Sequence, residues 1–313
     1  MAVHYDHITP DDRVLAYIET GIHFTGTLLN AFLLFQTFRY SHLLFRGFMD
    51  WVITVILFVG ACWGLALGIP QFISALWNGM QASPYENTLC FATGIAMMTC
   101  AGTTICCHAI LALDMKAIIV DNKHYGKKQF WSMVSFPVTY LIVCAIIVLT
   151  DPRFVLMVDT GSWCFPTTMY PSNLLFVGPT AGFMFLCCAS TAIICYCYSR
   201  AAAKVFLKVA KPSSVLPSDK SSERSALADY DPEEAKLNKQ LLTRCITLLF
   251  LFMSCYAVNI YIFTYRVLAQ HDVTHLPQQI AAVMTALDIV VTPLFLLYDN
   301  PHYRAGFGKY RNI

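Results

Sequence analysis

The sequence predicts an all-α membrane protein: seven transmembrane helices followed by a short amphipathic C-terminal helix. Three observations carry this. Of 313 residues, 57% are hydrophobic and 13% charged, whereas a water-facing domain keeps roughly a quarter charged. Seven apolar segments are long enough to cross ~30 Å of hydrocarbon, which takes about 20 residues of helix. Lys and Arg concentrate in alternate connections, as in multi-pass proteins.

The segments run 14–38, 51–77, 88–120, 131–150, 173–198, 241–267 and 278–298. The first carries Glu19 and His23, an i, i+4 pair sharing one helix face, with Asn30 deeper in the helix. Pro70, Pro137, Pro179 and Pro293 lie in the second, fourth, fifth and seventh, where each removes a backbone bond and sets a bend. Pro293 is the expected hinge. Asp288 lies in the seventh segment. A charge there costs about 2.5–3.5 kcal/mol on insertion scales, so it is expected to face the bundle. We expect it to pair through water with Asn30 and to bind a cation or change protonation.

Placing the N-terminus outside puts Arg39, Arg46, Lys116, Lys123, Lys127, Lys128, Arg200, Lys204, Lys208 and Lys211 in the cytoplasm. Arg244, Arg304, Lys309 and Arg311 join them, and only Arg13, Arg153 and Arg266 stay outside. The reverse orientation inverts the bias. The polar, acidic start MAVHYDHITPDDR predicts no cleavable signal peptide, so the first helix is its own insertion signal. The expected location is the plasma membrane, with a cytoplasmic C-terminus. The chain reads as one domain, 1–313. Within it, the 199–240 loop is basic, then Ser/Pro-rich, then acidic; its middle is expected to be disordered and its ends to extend the fifth and sixth helices into the cytoplasm. The segment after Tyr298, NPHYRAGFGKYRNI, places aromatics among basic residues, as a helix lying on the inner leaflet does.

Eleven of the thirteen cysteines fall within helices or near their cytoplasmic ends, where they act as small apolar packers. Cys90 and Cys164 fall on the outer side, where a disulfide persists, and are expected to be bonded.

Several motifs occur in order. Cys90 precedes ALDMKAII, with Asp114, by 24 residues, about 36 Å of helix. GTLLN holds Asn30, and Trp131 opens WSMVSFP. FMSCYAV is similar to F-x-x-C-W-x-P, and TPLFLLYDNPHYR to N-P-x-x-Y-x-x-x-N-x-x-F-R. Together these resemble the rhodopsin-like (class A) G protein-coupled receptor family over the whole chain. The departures are specific. Met115 stands where the family has the Arg after its third-helix acid, Tyr256 replaces the Trp, Val258 the Pro and Leu296 the seventh-helix Tyr. The second-helix acid is absent from FVGACWG. The resemblance implies a receptor that couples through Asp114 and Met115 to a heterotrimeric G protein, with Asn30, Asp288, Thr292 and Pro293 as its polar switch. It also implies a ligand pocket of Thr93, Met97, Ala101, Tyr256, Asn259, Phe263, Ala282 and Ala286. With no acid at Met97, the expected ligand is a small, largely apolar or neutral, lipid-like molecule.

A cAMP-receptor-like seven-helix protein is a second family compatible with the loop motif GSWCF and the missing Arg. A retinal protein needs a seventh-helix Lys for its Schiff base, and none lies between Gln240 and Gly308. A transporter or membrane hydrolase remains an alternative. Its candidate metal residues, His4 with His7 and His271 with His275, fall in outer segments. We expect no enzyme activity, no cofactor, no bound metal and no nucleic-acid partner; the partners are the lipid bilayer, a ligand and a G protein.

Overall fold

The structure, a computed structural model, describes residues 10–39, 48–76, 93–150, 156–159, 164–167, 174–210, 232–269 and 275–299. Among these the chain forms seven long helices: α1 Pro10–Arg39, α2 Phe48–Leu76, α3 Thr93–Asp121, α4 Lys127–Thr150, α5 Leu174–Ala210, α6 Pro232–Ala269 and α7 His275–Asp299. A short antiparallel ribbon joins them in the α4–α5 connection. Its strands are β1 Leu156–Asp159 and β2 Cys164–Thr167, with Asp159 opposite Cys164. Cys90, His4, His7, His271 and the 300–313 segment lie outside the described residues.

Large apolar side chains are exposed all round the bundle, among them Leu28 at 73%, Phe136 at 73%, Phe185 at 75% and Phe250 at 68%. Water-soluble proteins do not expose so much contiguous apolar surface; lipid tails cover it at no cost. Helices suit that solvent because every backbone bond closes within the segment. Five segments, in α2, α3, α5, α6 and α7, are long and apolar enough to cross a membrane. The chain is a multi-pass membrane protein.

The helix α3 is the axis. Within its spanning segment 83% is buried, against 39–56% for the other four. The main core surrounds it with Trp63, Leu67, Met98, Ile105, Phe183, Ile194 and Phe252. A smaller cluster of Phe48, Val52, Phe130 and Val134 packs on Cys107, Ile110 and Leu111 from the α2 and α4 side. Two turns of α3, Met97–Ala101 and Ala117–Asp121, are wound as π-helix, the wider winding that marks functional sites in many helices. Asn122, at φ 51°, ends α3 in the left-handed conformation that Asn tolerates.

The pairing of α1 with α2 rests on missing side chains. A Cβ on Gly64 would stand 2.6 Å from the His23 carbonyl, and one on Gly60 would stand 2.9 Å from the Asn30 side-chain oxygen. Small residues one turn apart let two helices approach closely in lipid, where packing replaces the hydrophobic effect.

Candidate functional site

The centre of the bundle holds a carboxylate. Asp288 of α7 is 4% exposed. The Tyr256 hydroxyl of α6 donates to its Oδ2 at 2.8 Å, and the Thr292 hydroxyl donates to its Oδ1 at 2.7 Å. His108 of α3 places Nε2 3.6 Å from the same Oδ2, ion-pair distance when the imidazole is protonated. Phe252 stacks on Tyr256 with ring centroids 5.0 Å apart and lies 6.0 Å from the His108 ring. Three helices therefore converge on one acid. A carboxylate in a low-dielectric interior demands such donors, and removing one leaves the others poorly matched.

One to two turns earlier along α7, the Asn259 amide of α6 donates to the Ala281 carbonyl at 3.2 Å and to the Thr285 hydroxyl. The Thr285 hydroxyl in turn donates to the Ala281 carbonyl at 2.8 Å. On the other flank, the Asn30 amide of α1 donates to the Ile289 carbonyl at 2.7 Å and to Gly26 at 2.8 Å. The seventh helix is thus fastened by side-chain donors from α1 and α6, with His108 of α3 facing its acid.

Nearer the α1 start, Gln71 of α2 donates to the Glu19 carboxylate at 2.8 Å. His23 is 2% exposed beside this pair. The Glu19–His23 pair expected from spacing therefore lies buried between helices. A small cavity opens here between α1, α2, α3 and α7. Its polar walls are His23, Trp63, Gln71 and Thr285, and its apolar walls Leu67, Met97, Ala282 and Ala286.

At the opposite end of α3, Asp114 is 2% exposed, with its carboxyl facing the Tyr125 backbone N–H and His124 nearby. Met115 is equally buried and belongs to the main core. Lys116 pairs with Asp121 at 2.8 Å in an exposed position. Lys204 of α5 reaches across to donate to the Val120 carbonyl at 2.5 Å.

Of the residues singled out from sequence, Met97, Ala282 and Ala286 meet at the cavity, while Thr93 and Ala101 are buried along α3. Tyr256 and Asn259 are buried as well, but they belong to the network on α7. The Phe263 side chain and Cys90 lie outside the described residues, so neither the Phe263 contacts nor the disulfide is seen. Asn30 and Asp288, expected to pair with each other through water, have separate direct partners. Consecutive helical residues diverge by about 100°, and Asn30 meets the backbone of residue 289. His108 was missed. Its signal was available, since a histidine in mid-membrane demands a partner.

No protein-family model matches the chain, and no curated protein sequence does. Among solved structures, squid rhodopsin is similar, with a TM-score of 0.70 at 15% identity over 98% of this chain and 89% of that one. The chain therefore has the rhodopsin-like seven-helix fold.

Proposed function

We propose that the chain is a signalling receptor of the G protein-coupled kind. It sits in the plasma membrane with its N-terminus outside and its C-terminus in the cytoplasm. A neutral, largely apolar or lipid-like ligand, entering near Thr93, Met97, Ala101, Asn259, Phe263, Ala282 and Ala286, shifts α5 to α7 and opens a cytoplasmic cleft for a heterotrimeric G protein. Asn30, Asp288, Thr292 and Pro293 are the switch, and a Cys90–Cys164 disulfide staples the outer end. The observation that supports this most is the Asp288 carboxylate held by Tyr256 and faced by His108. A receptor must hold α3, α6 and α7 in one arrangement and release them in another, and a buried polar knot has two such discrete states.

Gα dissociation sensors in cells test the reading across a panel of subunits, with wild type, Tyr256→Phe and Asp288→Asn matched for surface expression. Dissociation with at least one subunit, higher in Tyr256→Phe, is the expected result. Silence from all three in surface-expressed protein counts against G protein coupling. It would favour a second reading, which the apolar Met115 supports: the same scaffold with a different transducer.

A further inference from the structure

We propose that the corner formed by the α3–α4 connection, the first turn of α4 and Trp51 of α2 binds a phospholipid whose phosphate is a monoester carried directly on the glycerol, a lipid of the phosphatidic acid class. Such a site needs only the seven-helix fold in its bilayer and is independent of any transducer.

Charge at this corner is unbalanced. Residues 123–128 read KHYGKK, and no acid follows Asp121 before Asp151. Asp121 already pairs with Lys116 at 2.8 Å. Lys123, Lys127 and Lys128 are exposed, and among the described residues no carboxylate lies within ion-pair distance of them. The first turn of α4 carries two of these lysines and no acid, although the positive end of a helix dipole favours acids.

The corner is nonetheless well built. The Tyr125 backbone N–H donates to the buried Asp114 carboxyl. The Lys123 N–H donates to the Ala117 carbonyl at 2.9 Å, and the Gly126 N–H to Gln129 Oε1 at 3.0 Å. The Tyr125 ring packs on Phe48 with centroids 5.5 Å apart. Lys127 holds its ammonium 5.1 Å over the Trp51 ring, within cation–π distance. The backbone that carries the lysines is therefore already ordered, which lowers the entropy lost when an anion arrives.

Depth selects the ligand. Trp131 is 52% exposed and shares a helix face with Lys127 and Lys128, at i+4 and i+3. It stands about 5 Å further along α4. Phe136, exposed as well, continues the lipid-facing surface beyond it. Tryptophan settles at the membrane–water boundary, so lysines one turn above it lie at the level of the glycerol and its phosphate. A phosphate monoester carries a charge of about −1.5 to −2 at neutral pH and has no headgroup in the way. Phosphatidylcholine covers its phosphate with a cation. Phosphatidylserine adds an ammonium beside its carboxylate. A phosphoinositide holds its monoester further out, beyond a sugar ring.

The experiment uses the full chain in mixed micelles and reads bound lipid by native mass spectrometry. The probes are equimolar, chain-matched phosphatidic acid, phosphatidylserine, phosphatidylinositol 4-phosphate and phosphatidylcholine. Phosphatidic acid should bind at least about fivefold better than each of the others. Lys127→Gln should weaken it about fivefold, the contribution of one lysine near an anionic surface, and the double variant with Lys128→Gln about 25-fold. Lys127→Arg keeps the charge and the stacking on Trp51 and should retain binding. Arg200→Gln removes an exposed cation from α5 at the same end of the bundle and should change binding less than about twofold, since it lies off the corner. The substituted side chains are exposed, so folding is not at stake. Soluble glycerol 3-phosphate at the lipid's concentration should not displace it. Equal binding of phosphatidylserine or the phosphoinositide, or equal losses from Arg200→Gln and Lys127→Gln, would overturn the proposal in favour of general surface charge. Displacement by glycerol 3-phosphate would overturn it in favour of a soluble phosphate site.

Discussion

The Asn30 amide of α1 donates to the backbone carbonyl of Ile289, 2.7 Å away in α7. That carbonyl is special. Its normal partner is the N–H four residues on, and residue 293 is proline, which has none. Asn30 supplies across the bundle what Pro293 removes within the helix. Asn30→Ala should therefore destabilise by about 1–2 kcal/mol. In a Pro293→Ala background the helical N–H returns, and the same substitution should cost about 1 kcal/mol less. Unfolding midpoints of the four proteins close this cycle. Equal costs in both backgrounds would mean that Asn30 acts through Gly26 or Gly60 instead.

The α1–α2 seam makes a sharper contrast. A Cβ on Gly64 collides with the His23 backbone carbonyl, whereas one on Gly21 meets nothing within 4 Å. Gly64→Ala should cost about 1–3 kcal/mol by overpacking. Gly21→Ala, in the interior of α1, should be neutral or stabilising by up to about 1 kcal/mol. Surface expression and melting in parallel separate the two.

Tyr256 donates to Asp288 while stacking on Phe252. Tyr256→Phe keeps the ring and deletes the donor, leaving a buried carboxylate short of one bond, at about 1–3 kcal/mol. Because the lost bond ties α6 to α7, part of that cost should appear as a population shift toward the open state. Phenylalanine should thus lower the melting point and raise basal Gα dissociation together. A lower melting point with unchanged basal output would make the bond purely structural.

The seven helices were legible because each carries a long, largely apolar run, although among the described residues only five are long and apolar enough on their own to specify a span. Their cytoplasmic ends were legible in part: α5 continues to Ala210 and α6 starts at Pro232, the extension past the apolar windows 173–198 and 241–267 that the two ends of the 199–240 loop predict. Past Tyr198 the sequence is basic, yet Ala201 and Val205 stay buried, so packing extends the helix after the hydropathy signal has faded. Asp288 stood out as an acid inside an apolar run, but its partners did not. Pairing depends on how three helices rotate, and motif spacing drew the reading to Asp114 on α3 rather than to His108 two turns earlier.

Met115 marks a second such case. Sequence comparison made it the apolar stand-in for the family arginine. In the structure it is 2% exposed within the main core. Met115→Arg should therefore not restore an arginine-type contact; it should bury a cation with no placed partner, costing about 3 kcal/mol or more and depleting surface expression. Met115→Leu, similar in volume, should cost under about 1.5 kcal/mol. Normal surface levels and gained coupling in the arginine variant would show that the side chain can reach the cytoplasmic face.

The α3–α5 contact at the same end has its own consequence. Lys204 donates to the Val120 carbonyl in the last π-wound turn of α3, just before Asn122 ends the helix. A positive charge suits a helix C-terminus, where carbonyls lack donors. The nearby Lys116–Asp121 pair is exposed, lies within α3 and contributes little, so it does not join the two helices as Lys204 does. A transducer entering between α3 and α5 must break it. Lys204→Ala should speed hydrogen exchange across residues 117–125 and, with about 1 kcal/mol removed, raise basal transducer engagement a few-fold. Lys204→Arg, which keeps both charge and donors, should restore protection. Faster exchange in the alanine variant without any rise in engagement would confine Lys204 to capping α3.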